Sequence, residues 1–151
     1  MKKINLLLFP VIGLAFVACN RPSAATVNTS STKENEAIVR AAFEAFNQHD
    51  WSKMASYYAE PAVFLDPEYG TEYVNKTQKE SADNHANLEK FSPDIKDSIT
   101  TMIAAGDKVA IEFISSGITA DKKHWKLPVS AVLTLKNGKI IKDATYYNHE
   151  K

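Results

Sequence analysis

One cysteine is the whole thiol inventory of this chain, so an internal disulfide is excluded. A surplus of one charge is missing too. The 18 Lys and Arg stand against 18 Asp and Glu, which removes the clustered basic charge that nucleic-acid binding leans on. The four histidines have neither H-x-H nor H-x-x-x-H spacing, so no metal site is expected. Neither a glycine-rich phosphate loop nor a G-x-S-x-G elbow occurs, and no cofactor is expected. No apolar run reaches the roughly 20 residues of a membrane-spanning helix.

What is present starts at the N-terminus. Met1-Lys2-Lys3 is a basic head, and Leu6 to Ala18 is a short apolar segment broken by Pro10 and Gly13. That is the layout of an export signal. Its end, Phe16-Val17-Ala18-Cys19, resembles a bacterial lipobox, in which cleavage before the cysteine leaves the thiol for diacylglyceryl attachment. Cys19 is therefore read as a lipidation site, with residues 1–18 as the removed signal. Acyl chains contribute about 0.8 kcal/mol per buried methylene, so several chains give a stable membrane anchor. Asn20 after the cysteine resembles lipoproteins sorted to an outer membrane. The expected address is the bacterial cell envelope, at the outer membrane if the source has one. Residues 19–32, rich in Ser, Thr, Asn, Ala and Pro, read as a flexible tether. Loss of Lys2 and Lys3 with the signal leaves a net charge of about −2.

Residues 33–151 suffice for one domain with a core. Ser31-Thr32-Lys33-Glu34 has the form of a capping box. Behind it Ile38, Val39, Ala42, Phe43 and Phe46 recur at helical spacing, predicting a helix over 33–48. Asp50 is placed to cap a second helix carrying Trp51, Met54, Ala55 and Tyr58, with Glu60-Pro61 as its stop. Ala62 to Leu65 reads as a short strand, "DPEYGTEYVNKT" as a loop, and Gln78 to Lys90 as a weak, polar helix on the surface or forming a lid. From Ile99 the period becomes two. Val109, Ile111 and Phe113 share a face, and Trp125, Leu127, Val129, Ala131, Leu133 and Leu135 line a long strand. Asn137-Gly138 then signals a hairpin. Two or three helices followed by an antiparallel meander make an α+β fold: a cone of curved antiparallel sheet packed on helices, with a pocket at its mouth.

Two stretches carry a family resemblance: "AFNQHDWSKMASYYAEPAVFLDP" (45–67) and "LTLKNGKIIKDATYYN" (133–148). They resemble the nuclear transport factor 2-like superfamily, which includes SnoaL-like polyketide cyclases and ketosteroid isomerases. The resemblance implies the cone fold and names candidate residues. Asp66 matches the Asp-Pro whose carboxylate shuttles a proton beside a carbonyl in ketosteroid isomerases. The helix-borne Tyr and second acid of those enzymes fall on Ala42 and near Ala131, which argues against steroid-type isomerisation. For SnoaL-like cyclases the expected acid/base lies on a late strand, where Asp143 stands. His124, at the start of the preceding strand, would pair with it if the hairpin register allows.

The aromatic side chains Tyr58, Tyr69, Trp125 and Tyr147 are candidates for a ligand-binding wall. His49 and His85 fall in polar sequence and are expected to be solvated. Three functions follow. The first is an envelope lipoprotein whose pocket binds a small, largely apolar ligand. The second is a cofactor-free isomerase or cyclase with Asp66 or Asp143 as general base. The third is an assembly module that forms a homodimer, or meets another envelope protein, through the outer face of its sheet.

Overall fold

The computed structural model describes residues 29–148, so Cys19, the signal segment and most of the tether lie outside the described residues. Helix α1 spans Thr29–Asn47, and its buried face is Val39, Ala42, Ala45 and Phe46, at the spacing the sequence announced. It begins ahead of the expected capping box, so Ser31 and Thr32 stand inside its first turns. At its C-terminus the His49 amide donates to the Phe46 carbonyl and the Asp50 amide to the Ala45 carbonyl. Those two bonds make a Schellman cap, with His49 in the left-handed position at φ 56°. Asp50 at once caps helix α2 (Trp51–Ser56), its carboxylate accepting the Lys53 amide at 3.0 Å.

Helix α2 ends before the predicted Glu60-Pro61 stop. The sheet claims the backbone first: the Tyr57 carbonyl accepts the Ile140 amide at 2.9 Å, and strand β1 runs Tyr58–Leu65. A 3-10 turn (Pro67–Tyr69) follows, then a strand absent from the sequence expectation, β2 (Val74–Lys76), and helix α3 (Gln78–Phe91). A capping box does occur, but at Thr77 and Glu80, where it opens α3. The meander is then β3 (Lys96–Ala105), β4 (Lys108–Ile118), β5 (His124–Lys136) and β6 (Lys139–Tyr146). Asn137 and Gly138 at φ 52° and 74° form the expected tight turn between the last two.

The six strands order as β2-β1-β6-β5-β4-β3, so the first strand lies beside the last. This seam is parallel, which corrects the expectation of a wholly antiparallel sheet; every other pairing is antiparallel. Parallel neighbours need a long connection, and here it consists of β2, α3 and three meander strands. Two cores hold the helices to the curled sheet. Val39 and Ala42 pack on Val109, Ile111, Ala131, Leu133, Leu135 and Ile140, while Ala45, Phe46, Met54 and Ile95 form a second cluster. Between helices and sheet a hollow remains. Gly117 permits the close approach of β4 to the α3 terminus, since a Cβ there would stand 2.1 Å from Ser92 Oγ. On the outer sheet face Ile103, Val132 and Tyr146 are exposed.

Candidate active site

The hollow measures about 490 Å³, and its wall is mostly aromatic and aliphatic. The inward faces of β4, β5 and β6 supply the back, and α1 and α3 cover the front. On β5 the face runs through Trp125, Leu127, Val129, Ala131 and Leu133. On β6 and beyond, the same alternation turns Asp143, Thr145 and Tyr147 inward. The parallel seam brings Phe64 opposite Asp143, so Asp66, just past the end of β1, opens on the same hollow.

Asp143 is buried, and both its oxygens are engaged. The Tyr58 hydroxyl donates to Oδ2 at 2.9 Å and the Thr145 hydroxyl to Oδ1 at 2.7 Å. Burial pushes its carboxyl up to about 6; the two hydroxyl donors pull it down, and the Asp66 charge adds to the rise. Tyr58 is raised well above the usual phenol range, by burial first and then by Asp143. Asp66 plays two parts. Its Oδ1 caps the 3-10 turn by accepting the Glu68 amide at 2.8 Å, and the same oxygen accepts the Tyr147 hydroxyl at 2.7 Å. Burial and then Asp66 raise the Tyr147 phenol. Tyr69 accepts from the Asn84 amide at 2.8 Å, which leaves its own proton free to donate elsewhere. Burial raises Tyr69 as well.

Of the residues singled out by sequence, Asp66, Asp143, Tyr58, Tyr69, Trp125 and Tyr147 all line this one hollow. His124 does not. It is exposed at the first residue of β5 opposite Ile118. Asp143 faces Leu133, roughly 30 Å further along that strand at about 3.4 Å per residue. The proposed His124–Asp143 pair is therefore corrected: hairpin register separates the two.

Sequence reasoning passed over two residues that matter. His85, expected in solvent, lines the hollow, stacked on Trp51 and edge-on to Phe46. Its Nδ1 lies 2.7 Å from the Ser81 carbonyl, so that nitrogen carries the proton. Burial lowers its pKa and keeps the ring neutral, with Nε2 an acceptor. The spacing of Ser81, His85 and Leu88, one helical face, was the available signal. Asp97 is the second. It lines the hollow from β3 opposite Ser115, and burial pushes its carboxyl up to about 7, offset in part by a hydrogen bond from Ser115. Ile95-x-Asp97-x-Ile99 already shows the alternation that turns it inward. His49, also expected in solvent, is structural: it bridges the Ile95 carbonyl and Glu89 and stacks on Trp51.

Among the described residues no group of three or more His, Cys, Asp or Glu side chains is placed to hold a metal ion. Nor is any helix among them long and apolar enough to cross a membrane.

The family model described as a SnoaL-like domain matches residues 39–142. No curated protein sequence matches. Solved structures of similar shape include a hypothetical protein with a ketosteroid isomerase-like fold from Catenulispora acidiphila in complex with trimethylamine. It is 20% identical with a TM-score of 0.65, covering 74% of this chain and 85% of that one. An LEH-like epoxide hydrolase from M. tuberculosis is 17% identical at a TM-score of 0.66, covering 78% and 85%. A putative polyketide cyclase from Xanthomonas campestris is 21% identical at a TM-score of 0.63, covering 78% and 92%. At these identities the likeness establishes the cone fold and leaves the chemistry to the residues.

Proposed function

The chain belongs to the SnoaL-like domain family, and we propose that it holds a small, largely apolar molecule in the hollow and moves a proton on it through Asp143. The observation that carries this reading is the setting of that carboxyl: buried in an apolar wall, oriented by Tyr58 and Thr145, and raised by burial to about 6. A base that titrates near neutrality is suited to take and return a proton. The ionised carboxylate would accept a proton from carbon beside a carbonyl. Tyr69, whose hydroxyl proton is not used by Asn84, would donate to the oxygen on which charge develops. Return of the proton from Asp143 to a second position completes an isomerisation or ring closure without a cofactor. Ala42 and Ala131 on the wall keep the usual isomerase donors out of this scheme.

The test is deuterium incorporation from solvent into a panel of cyclic ketones and 1,3-diketones, read by mass spectrometry. Wild type is expected to exchange at least one member, and Asp143→Asn to slow it about 10²–10⁴-fold. Equal rates in the two proteins would overturn the role of Asp143. A binding site without turnover is the second reading, favoured by the aromatic and aliphatic wall; retention of a panel member without exchange selects it.

The same proposal places the domain on a bacterial envelope membrane through lipid on Cys19, supported by the Phe16-Val17-Ala18-Cys19 sequence. Labelling of cells with an alkyne fatty acid should mark wild type and not Cys19→Ser. Self-association through the outer sheet face is supported by the exposed Ile103, Val132 and Tyr146, and sedimentation velocity reads it.

A further inference from the structure

The charged side chains on the wall of the hollow are all of one kind. Asp66, Glu68, Asp97 and Asp143 line it, and among the described residues no Lys or Arg does. His85 adds no positive charge while burial keeps its ring neutral. A carboxylate or phosphate ligand would meet repulsion with no compensating cation in this low-dielectric space. The ligand is therefore neutral or cationic.

Asp97 decides between these. Its backbone is gripped from both sides by one residue: the Asn47 side chain accepts the Asp97 amide and donates to the Asp97 carbonyl, each at 2.8 Å. The side chain is thereby aimed, yet its Oδ1 is buried with no hydrogen-bond partner among the described residues. Asp143 differs, with both oxygens engaged, and so does Asp66, whose Oδ1 takes two donors. A buried acceptor left open is destabilising by itself, and more so if charged. A positive charge arriving with the ligand beside this carboxylate offsets that penalty through space. Around it the surface suits a cation: Phe113 stands opposite Ile99, on the same inward face as Ser115, and meets Phe43 edge-on at 5.0 Å. Ring faces beside a carboxylate attract an ammonium group and its alkyl substituents.

We propose that Asp97 is the recognition residue for an amine: the hollow takes an apolar molecule whose ammonium group pairs with the Asp97 carboxylate while its body lies along the aromatic wall toward Asp143. This deepens the proposed function and rests on its reading of the hollow as a small-molecule site. The geometry gives the two acids separate tasks, since Asp97 is near enough to add to the rise of the Tyr58 phenol but bonds none of the Asp143 partners.

Three probes with one body separate the outcomes: naphthalene-1-methylamine, naphthalene-1-methanol and 1-naphthoate, titrated calorimetrically at pH 7.5 into the domain. The amine is expected to bind about tenfold or more tighter than the alcohol, and the carboxylate more weakly than either. Asp97→Asn should bring the amine down to the alcohol's affinity, whereas Asp143→Asn should keep the preference for the amine. In wild type the Asp97 carboxyl carbon should shift in the NMR spectrum on saturation with amine and not with alcohol, which keeps the test open if the variant fails to fold. Alcohol and amine of equal affinity, or an amine preference that survives Asp97→Asn, overturns the assignment while sparing the hollow as a ligand site. Binding of none of the three at millimolar concentration overturns both.

Discussion

The two ends of the hollow hold the same chemical group in opposite circumstances. At the β6 end Asp143 has a donor on each oxygen, supplied by Tyr58 and Thr145. At the β3 end Asp97 has its backbone clamped by Asn47 and a bare buried oxygen. Burial raises both carboxyls, to about 6 and about 7, and hydrogen bonds offset part of the rise, from Thr145 and Tyr58 at Asp143 and from Ser115 at Asp97, while the Asp66 charge adds to it at Asp143. On the proposals above, the satisfied acid loses and regains a proton in place and the unsatisfied one is completed by the ligand.

The contrast can be broken by changing one end at a time. The largest effect is expected from Asp143→Asn, a loss of about 10²–10⁴-fold in solvent exchange, whereas Asp97→Asn should leave the intrinsic exchange of a neutral ketone near wild type. Next comes stability. A carboxyl raised on folding binds its proton more tightly in the native than in the unfolded state, so its contribution is intact below the unfolded value of 3.8 and is lost as pH rises through about 7. Asp97→Asn removes that loss. It should be up to about 4 kcal/mol more stable than wild type at pH 8 and nearly equal near pH 3.5, as urea denaturation at the two pH values reads. Asn47→Ala takes away the clamp and should destabilise by about 1–3 kcal/mol while the exchange catalysed at Asp143 is retained. The smallest effect sharpens the comparison by making one end resemble the other. Tyr58→Phe strips a donor that holds Asp143 down, so the acid limb of the pH–rate profile should move alkaline by about one pH unit. An acid limb that stays in place or moves toward lower pH speaks against a direct Tyr58–Asp143 coupling.

Much of this frame was legible because the signals were local. Asp50 as a cap, Asn137-Gly138 as a turn and the Trp125-to-Leu135 face each depend on residues a few positions apart. The parallel seam was not legible, because nothing within β1 or β6 records which strand lies beside it. Asp66 and Asp143 were recognisable from the family's motifs, but their convergence on one hollow depends on that seam. His85 and Asp97 were hidden by polarity: each is a polar side chain on a face that lines the hollow. His124 misled for the reverse reason. A strand position near a functional strand says nothing of register, and here register sends it to the rim in solvent.

The seam has a temporal side. Tyr58 and Asp143 are 85 positions apart, and Tyr147 and Asp66 are 81 apart, so neither contact can form until nearly the whole domain has been synthesised. A chain lacking its last strand lacks Asp143, and with it the partner of Tyr58. Loss of the final dozen residues would remove Asp143 and Tyr147 together, and with them the proton exchange proposed for this site.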